Sequence, residues 1–149
     1  QERGLRGGTL NVPAIVGFGE AVKLLEENRG EAEERTKALI ERFLKGIGEI
    51  SVSENGDKRY RTAPILNLRV EGVDNATLLY RADLNGLMIA AGSACSSASV
   101  KPSHVLTAMG LTDKEAKESV RISFGAQNTL EEVDEAARIF KNIVKELRE

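Results

Sequence analysis

Reactive side chains are scarce in this chain. Its 149 residues hold one cysteine, Cys95, and one histidine, His104. A lone cysteine cannot close an internal disulfide, and one cysteine with one histidine cannot build a zinc site. No apolar run approaches the roughly 18 residues of a membrane span, and no signal-peptide pattern opens the chain. Neither sign of charge dominates: the net charge is -2, which gives no electrostatic reason to expect nucleic acid or an anionic membrane. What is present is ordinary for a globular protein, 41% hydrophobic and 30% charged residues in a length that suits one domain. The expectation is a soluble domain of a reducing compartment, the cytoplasm. The opening, "QERGLRGGTLNVPAIVGFGEA", has no initiator Met. Its Gly-rich turn is expected to continue something that precedes it.

The cysteine sits in unusual company. Residues 90–104 read "AAGSACSSASVKPSH", so that Cys95 is surrounded by Gly, Ser and Ala. A structural cysteine usually behaves as a small hydrophobe in an apolar run. This run cannot fill a core and has little bulk to hold the backbone still. Two readings follow: a nucleophile or sulfur carrier on a pliable loop, or a tolerated cysteine in a small-residue turn. A reacting thiolate must be accessible. The apolar stretch before the loop, "LMIAA" at 87–91, reads as a buried strand that would give the loop a rigid base. The short helix expected from Pro102 would present N–H groups that favour a thiolate if the loop folds back on them.

Helical periodicity runs from Pro13 to about Lys45, through Ile15, Phe18, Val22 and Leu25 and then Ala32, Ala38, Leu39 and Phe43. Asn28-Arg29-Gly30 is a place for this helix to bend, and Gly46 and Gly48 are its expected stop. A short strand is expected near Glu49–Ser53, a turn at Asn55-Gly56, and a second strand over Pro64–Val70. Asp74 caps a helix that stops at Gly86. After the cysteine loop a short helix runs to Gly110, and Thr112 with Glu115 forms a capping box. "SVRISF" at 119–124 alternates as a strand. Thr129 with Glu132 opens a final helix whose core face is Leu130, Val133, Ala137, Phe140 and Val144. The order predicts an α+β fold, a small antiparallel or mixed sheet covered by helices and preceded by a long N-terminal helix.

Three further positions are candidates for chemistry. His104 is either a base for Cys95 or a hydrogen-bonding group at the start of a short helix. Arg3, Arg6, Gly7, Gly8 and Thr9 stand just before the long helix, where a hydroxyl and backbone N–H groups suit a phosphate but also suit ordinary capping. Arg121 lies between Val120 and Ile122. On the buried side of its strand it would need an anionic partner, a carboxylate fitting its planar fork; alternation alone leaves the solvent side equally open.

Three blocks, "RGGTLNVPAIVGFGEA", "AAGSACSSASVKPSHVLTAMGL" and "SVRISFGAQNTLEEVD", resemble in order and spacing the C-terminal portion of the group I (NifS/IscS-like) cysteine desulfurases. These are pyridoxal-phosphate-dependent enzymes of the class V aminotransferase group that supply sulfur for iron–sulfur clusters. The resemblance implies conversion of L-cysteine to L-alanine in a homodimer, with delivery of sulfur to a scaffold protein. It implies that Cys95 attacks the substrate sulfur and carries it as a persulfide, that Arg121 anchors the substrate carboxylate, and that Thr9 reaches the cofactor phosphate of the partner subunit. Arg6 takes no role from it, and His104 takes a structural one.

The same resemblance divides the chain into residues 1–12, continuing from a large domain, a linking helix over 13–47, and a small domain over 48–149 with the cysteine loop at 91–101. No lysine of the chain stands in the Ser/His-rich context of the family's cofactor lysine. The segment is therefore expected to be inactive alone, with most contacts to pyridoxal phosphate made by the large domain. An alternative is a free-standing persulfide carrier that pairs with a separate cofactor domain or scaffold.

Overall fold

The computed structural model describes residues 2–5, 7–48, 50–61, 64–92, 102–125 and 127–149. They form two compact units, Gln1–Ala32 and Glu33–Glu149, whose boundary falls within the long helix α1 (Val12–Ile47).

In the first unit α1 begins one residue before Pro13, with Asn11 Oδ1 accepting the Ala14 N–H at 3.2 Å. Pro13 then occupies the first turn, where a missing N–H costs nothing. The helix passes through Asn28-Arg29-Gly30 without a break. The apolar stripe Ile15, Phe18, Val22 and Leu25 lies 47–72% exposed.

In the second unit the α1 stripe turns inward at Thr36, Leu39, Ile40, Phe43 and Ile47, all buried. Ala38, expected in that stripe, is exposed, because the helical period already places Leu39 and Ile40 on the core side. Gly46 does not end the helix, which continues to Ile47. It lies instead against helix α5 (Leu130–Glu146), where an added Cβ would sit 2.7 Å from the Ala137 Cβ. Helix propensity alone would make Gly46→Ala stabilising by about 1 kcal/mol. The close approach reverses the sign: we expect a net loss of about 1–2 kcal/mol from overpacking, read by urea denaturation.

The sheet is antiparallel in the order β1-β2-β3, from β1 (Ser53–Glu54), β2 (Ile65–Arg69) and β3 (Ser119–Ser123). The expected strand over Glu49–Ser53 is displaced, because the Ile50 N–H still bonds the Ile47 carbonyl at 2.9 Å and completes the helix end. Leu87–Ala91 also departs from expectation. It is neither buried nor a full strand: the Leu87 N–H is spent on the Ala82 carbonyl that ends α2 (Asn75–Leu84), Met88 is 87% exposed, and only Ala90 bridges to β3.

Caps set the remaining boundaries. Asp74 caps α2, and the Thr112–Glu115 and Thr129–Glu132 capping boxes open α4 (Asp113–Lys117) and α5. The helix after the cysteine loop, α3 (His104–Ala108), is capped by Ser103 rather than begun by Pro102.

One sheet face supplies Leu66, Leu68, Val120 and Ile122 to the core, which also holds Phe43, Phe140, Val144 and Leu78. Phe43 packs edge-on against Phe124 and Phe140, ring centres 5.8 and 5.6 Å away. On α5, Val133, Ala137, Phe140 and Val144 are buried as expected, joined by Ile143, whereas Leu130 in the first turn is 45% exposed. Among the described residues, no helix is long and apolar enough to cross a membrane.

Candidate active site

Pleating decides which side of the sheet Arg121 occupies. Val120 and Ile122 are buried in the core, so alternation puts Arg121 on the opposite face, half-buried. On β2 the same rule places Asn67 and Arg69 on that face, both half-buried and alternating with the core residues Leu66, Leu68 and Val70. Asn67 is the direct cross-strand partner of Arg121, and Ser119 that of Arg69.

The two arginines differ in what they hold. Arg69 donates from Nε to Glu118 Oε2 at 2.9 Å and from Nη1 to Glu115 Oε1 at 2.7 Å. The hydrogen-bonded Glu118 carboxylate raises the Arg69 pKa above its ordinary value. The Glu115 carboxyl is held below its usual range, first by the Thr112 backbone N–H it accepts and then by the Thr112 hydroxyl. Arg121 has no such partner. Its guanidinium makes no ion pair and donates no side-chain hydrogen bond among the described residues. A half-buried guanidinium without an internal anion is available to an external one, and its geometry favours a carboxylate.

The backbone ties this position to Ala90. The Ala90 N–H donates to the Arg121 carbonyl at 3.0 Å, and the Arg121 N–H donates to the Ala90 carbonyl at 2.6 Å. Ala90 stands five residues before Cys95 in the sequence. Fully extended, five residues span at most about 17 Å. Residues 93–101, and with them Cys95, lie outside the described residues, as does Arg6.

His104 is the first residue of α3 and is exposed; its carbonyl accepts the Thr107 hydroxyl at 3.2 Å. Thr9 belongs to the first unit and is exposed, next to Gly8, whose φ of 116° only glycine adopts readily. The Thr9 hydroxyl makes no hydrogen bond among the described residues, while Asn11 serves the N-terminus of α1. Thr9 is thus free to contact an external acceptor.

Asn55 and Asn67 were not anticipated as parts of this face. Asn55 Nδ2 donates to Asn67 Oδ1 at 2.7 Å and to Ser119 Oγ at 2.9 Å. The signal was available in "PILNLRV", where an amide interrupts an otherwise aliphatic strand two residues from an arginine.

Comparison with known proteins adds the family. Residues 1–136 match Aminotransferase class-V. The chain belongs to that family. As a class V aminotransferase chain it is 42% identical over 149 residues to cysteine desulfurase IscS of Photobacterium profundum, covering 99% of this chain and 36% of that protein. It is 39% identical over 153 residues to cysteine desulfurase IscS of Clostridium botulinum strain Hall, covering 100% of this chain and 38% of that protein. A solved NifS-like protein from Rickettsia africae shares its fold with a TM-score of 0.83 at 31% identity, over 97% of this chain and 38% of that one. This class V chain therefore spans less than half the length of these relatives.

Proposed function

We propose that this chain is the C-terminal part of a pyridoxal-phosphate-dependent cysteine desulfurase that converts L-cysteine to L-alanine. The observation that carries the reading is Arg121, whose guanidinium makes no ion pair or hydrogen bond among the described residues and whose backbone pairs with Ala90, five residues before Cys95 in the sequence. Arg121 would hold the substrate carboxylate in both substrate and product. The Cys95 thiolate attacks the substrate sulfur, a new sulfur–sulfur bond forms, and the carbon–sulfur bond breaks. The electron pair stays on carbon, which takes a proton and leaves as the methyl group of alanine. The persulfide on Cys95 contains the transferred sulfur, and no external oxidant or reductant enters the balance.

Pyridoxal phosphate, when bound, supplies the electron withdrawal that makes that carbon–sulfur bond breakable. The residues here fit a share of its site. The free, exposed Thr9 hydroxyl beside Gly8 suits a phosphate oxygen held by a partner subunit. No lysine of the chain stands in the Ser/His-rich sequence context expected of the cofactor lysine. The remaining contacts, the cofactor lysine among them, belong to the rest of the enzyme. The persulfide then passes to an iron–sulfur scaffold protein in the cytoplasm, the complete enzyme acting as a homodimer. The names of the relatives, cysteine desulfurase IscS, support this reading.

The test is mass spectrometry of the complete enzyme after brief exposure to L-cysteine. We expect the peptide containing Cys95 to gain one sulfur atom, removable by a thiol reductant. An unmodified Cys95 during steady production of alanine would overturn the assignment.

A further inference from the structure

Hydrogen-bond polarity on the sheet face beside Arg121 is set by a chain of groups. The Glu115 carbonyl can only accept, and the Ser119 hydroxyl donates to it at 2.7 Å. The Ser119 oxygen is then an acceptor, so the group of Asn55 that approaches it at 2.9 Å must be the NH2. That same NH2 also donates to Asn67 at 2.7 Å, so the atom of Asn67 facing Asn55 must be the carbonyl oxygen. The orientation of the Asn67 amide is fixed from a backbone carbonyl three links away.

The consequence falls on Arg121. The Asn67 Nδ2 donates no hydrogen bond among the described residues, nor is it a buried orphan. Asn67 and Arg121 are direct cross-strand partners on one face, where Cβ atoms lie about 4.5–5.5 Å apart. Among the described residues, neither the Asn67 Nδ2 nor the Arg121 guanidinium donates a hydrogen bond to a protein acceptor. An asparagine turned the other way would offer its oxygen to the guanidinium and partly satisfy it. Here the network forbids that.

We propose that Asn67 is a second donor to the substrate carboxylate, giving the site its selectivity for an α-carboxylate over a bare amine. The inference rests on Arg121 being the carboxylate anchor. Asn55 and Ser119 act through Asn67 and are positioning residues.

The test uses the complete enzyme and equilibrium binding of two unreactive amines, followed by cofactor absorbance. L-Alanine carries the carboxylate and ethylamine lacks it. Asn67→Ala is expected to weaken L-alanine binding about tenfold, the loss of one hydrogen bond to a charged group, and to leave ethylamine binding unchanged. Asn55→Ala leaves Asn67 in place and adds no charge, but removes the NH2 that holds its carbonyl oxygen. The amide is then free to turn that oxygen toward the Arg121 guanidinium, giving a selective loss of L-alanine binding of up to about tenfold. A merely structural role for Asn67 would shift both amines together. The inference is overturned if either variant affects L-alanine and ethylamine equally, or affects neither. Arg121→Ala separates the two levels. If that variant loses the preference for L-alanine while the asparagine variants keep it, only the role of Asn67 fails. If it too keeps the preference, the carboxylate anchor itself is wrong.

Discussion

Cys95→Ser in the complete enzyme is expected to abolish transfer of sulfur from L-cysteine, with a fall on the order of 1,000-fold or more, the usual scale for removing a nucleophile. The hydroxyl is close in size to the thiol, and Ser93, Ser96, Ser97 and Ser99 already surround the position in the sequence. What changes is the nucleophile. A thiol is partly ionised near neutral pH and attacks sulfur readily, whereas a hydroxyl is protonated and does not exchange with sulfur. Binding of L-alanine should be unaffected, since the proposed carboxylate anchor, Arg121, lies on β3. The decisive measurement is sulfide or persulfide release per enzyme alongside the L-alanine dissociation constant. Retained sulfur transfer in the serine variant would remove Cys95 from the reaction. Weakened L-alanine binding would show instead that the loop residue belongs to the substrate pocket.

How much of this was legible in the residues depends on which interactions fix each part. The capping boxes at Thr112 and Thr129 and the cap at Asp74 were readable because both partners lie within three residues of one another. The strand around Arg121 was readable from its alternation. The side of the sheet that Arg121 occupies was not, because a period of two is symmetric until the opposite face is packed by α1 and α5. Gly46 looked like a helix stop, since a glycine signals flexibility in sequence. Its actual constraint is Ala137, ninety-one residues on, which no local pattern contains. Leu87–Ala91 failed for a related reason: its apolar composition suggested burial, but the end of α2 takes the Leu87 N–H and leaves Ala90 as the lone bridge. The amide of Asn67 was out of reach altogether. Its orientation is set by three segments, around residues 55, 67 and 115–119, that meet only in the folded sheet.

Arg121→Ala is expected to lower kcat/KM for L-cysteine roughly 100-fold, chiefly through KM. A bidentate, charge-assisted contact between guanidinium and carboxylate contributes about 3 kcal/mol, and about 1.4 kcal/mol corresponds to tenfold. Arg121→Lys keeps the charge and loses the fork, so an intermediate loss of about tenfold is expected. Stability separates this from a structural defect. Because the Arg121 side chain has no ion pair or hydrogen bond among the described residues, its removal should change unfolding free energy by less than about 0.5 kcal/mol. The contrast is Arg69 on the same face, whose carboxylate partners are the partly exposed Glu115 and the buried Glu118. Arg69→Ala removes the guanidinium from which the buried Glu118 carboxylate accepts, leaving that carboxylate the Gly72 N–H at 3.2 Å and Lys114 at 3.8 Å, and should lower the urea midpoint clearly more than Arg121→Ala does. Measured together by urea denaturation and steady-state kinetics, the two arginines should give opposite profiles, Arg121 on KM and Arg69 on stability. An Arg121→Ala enzyme with an unchanged KM would mean that the substrate carboxylate is held elsewhere. The sheet face would then lose its claim to the active site even with Cys95 secure.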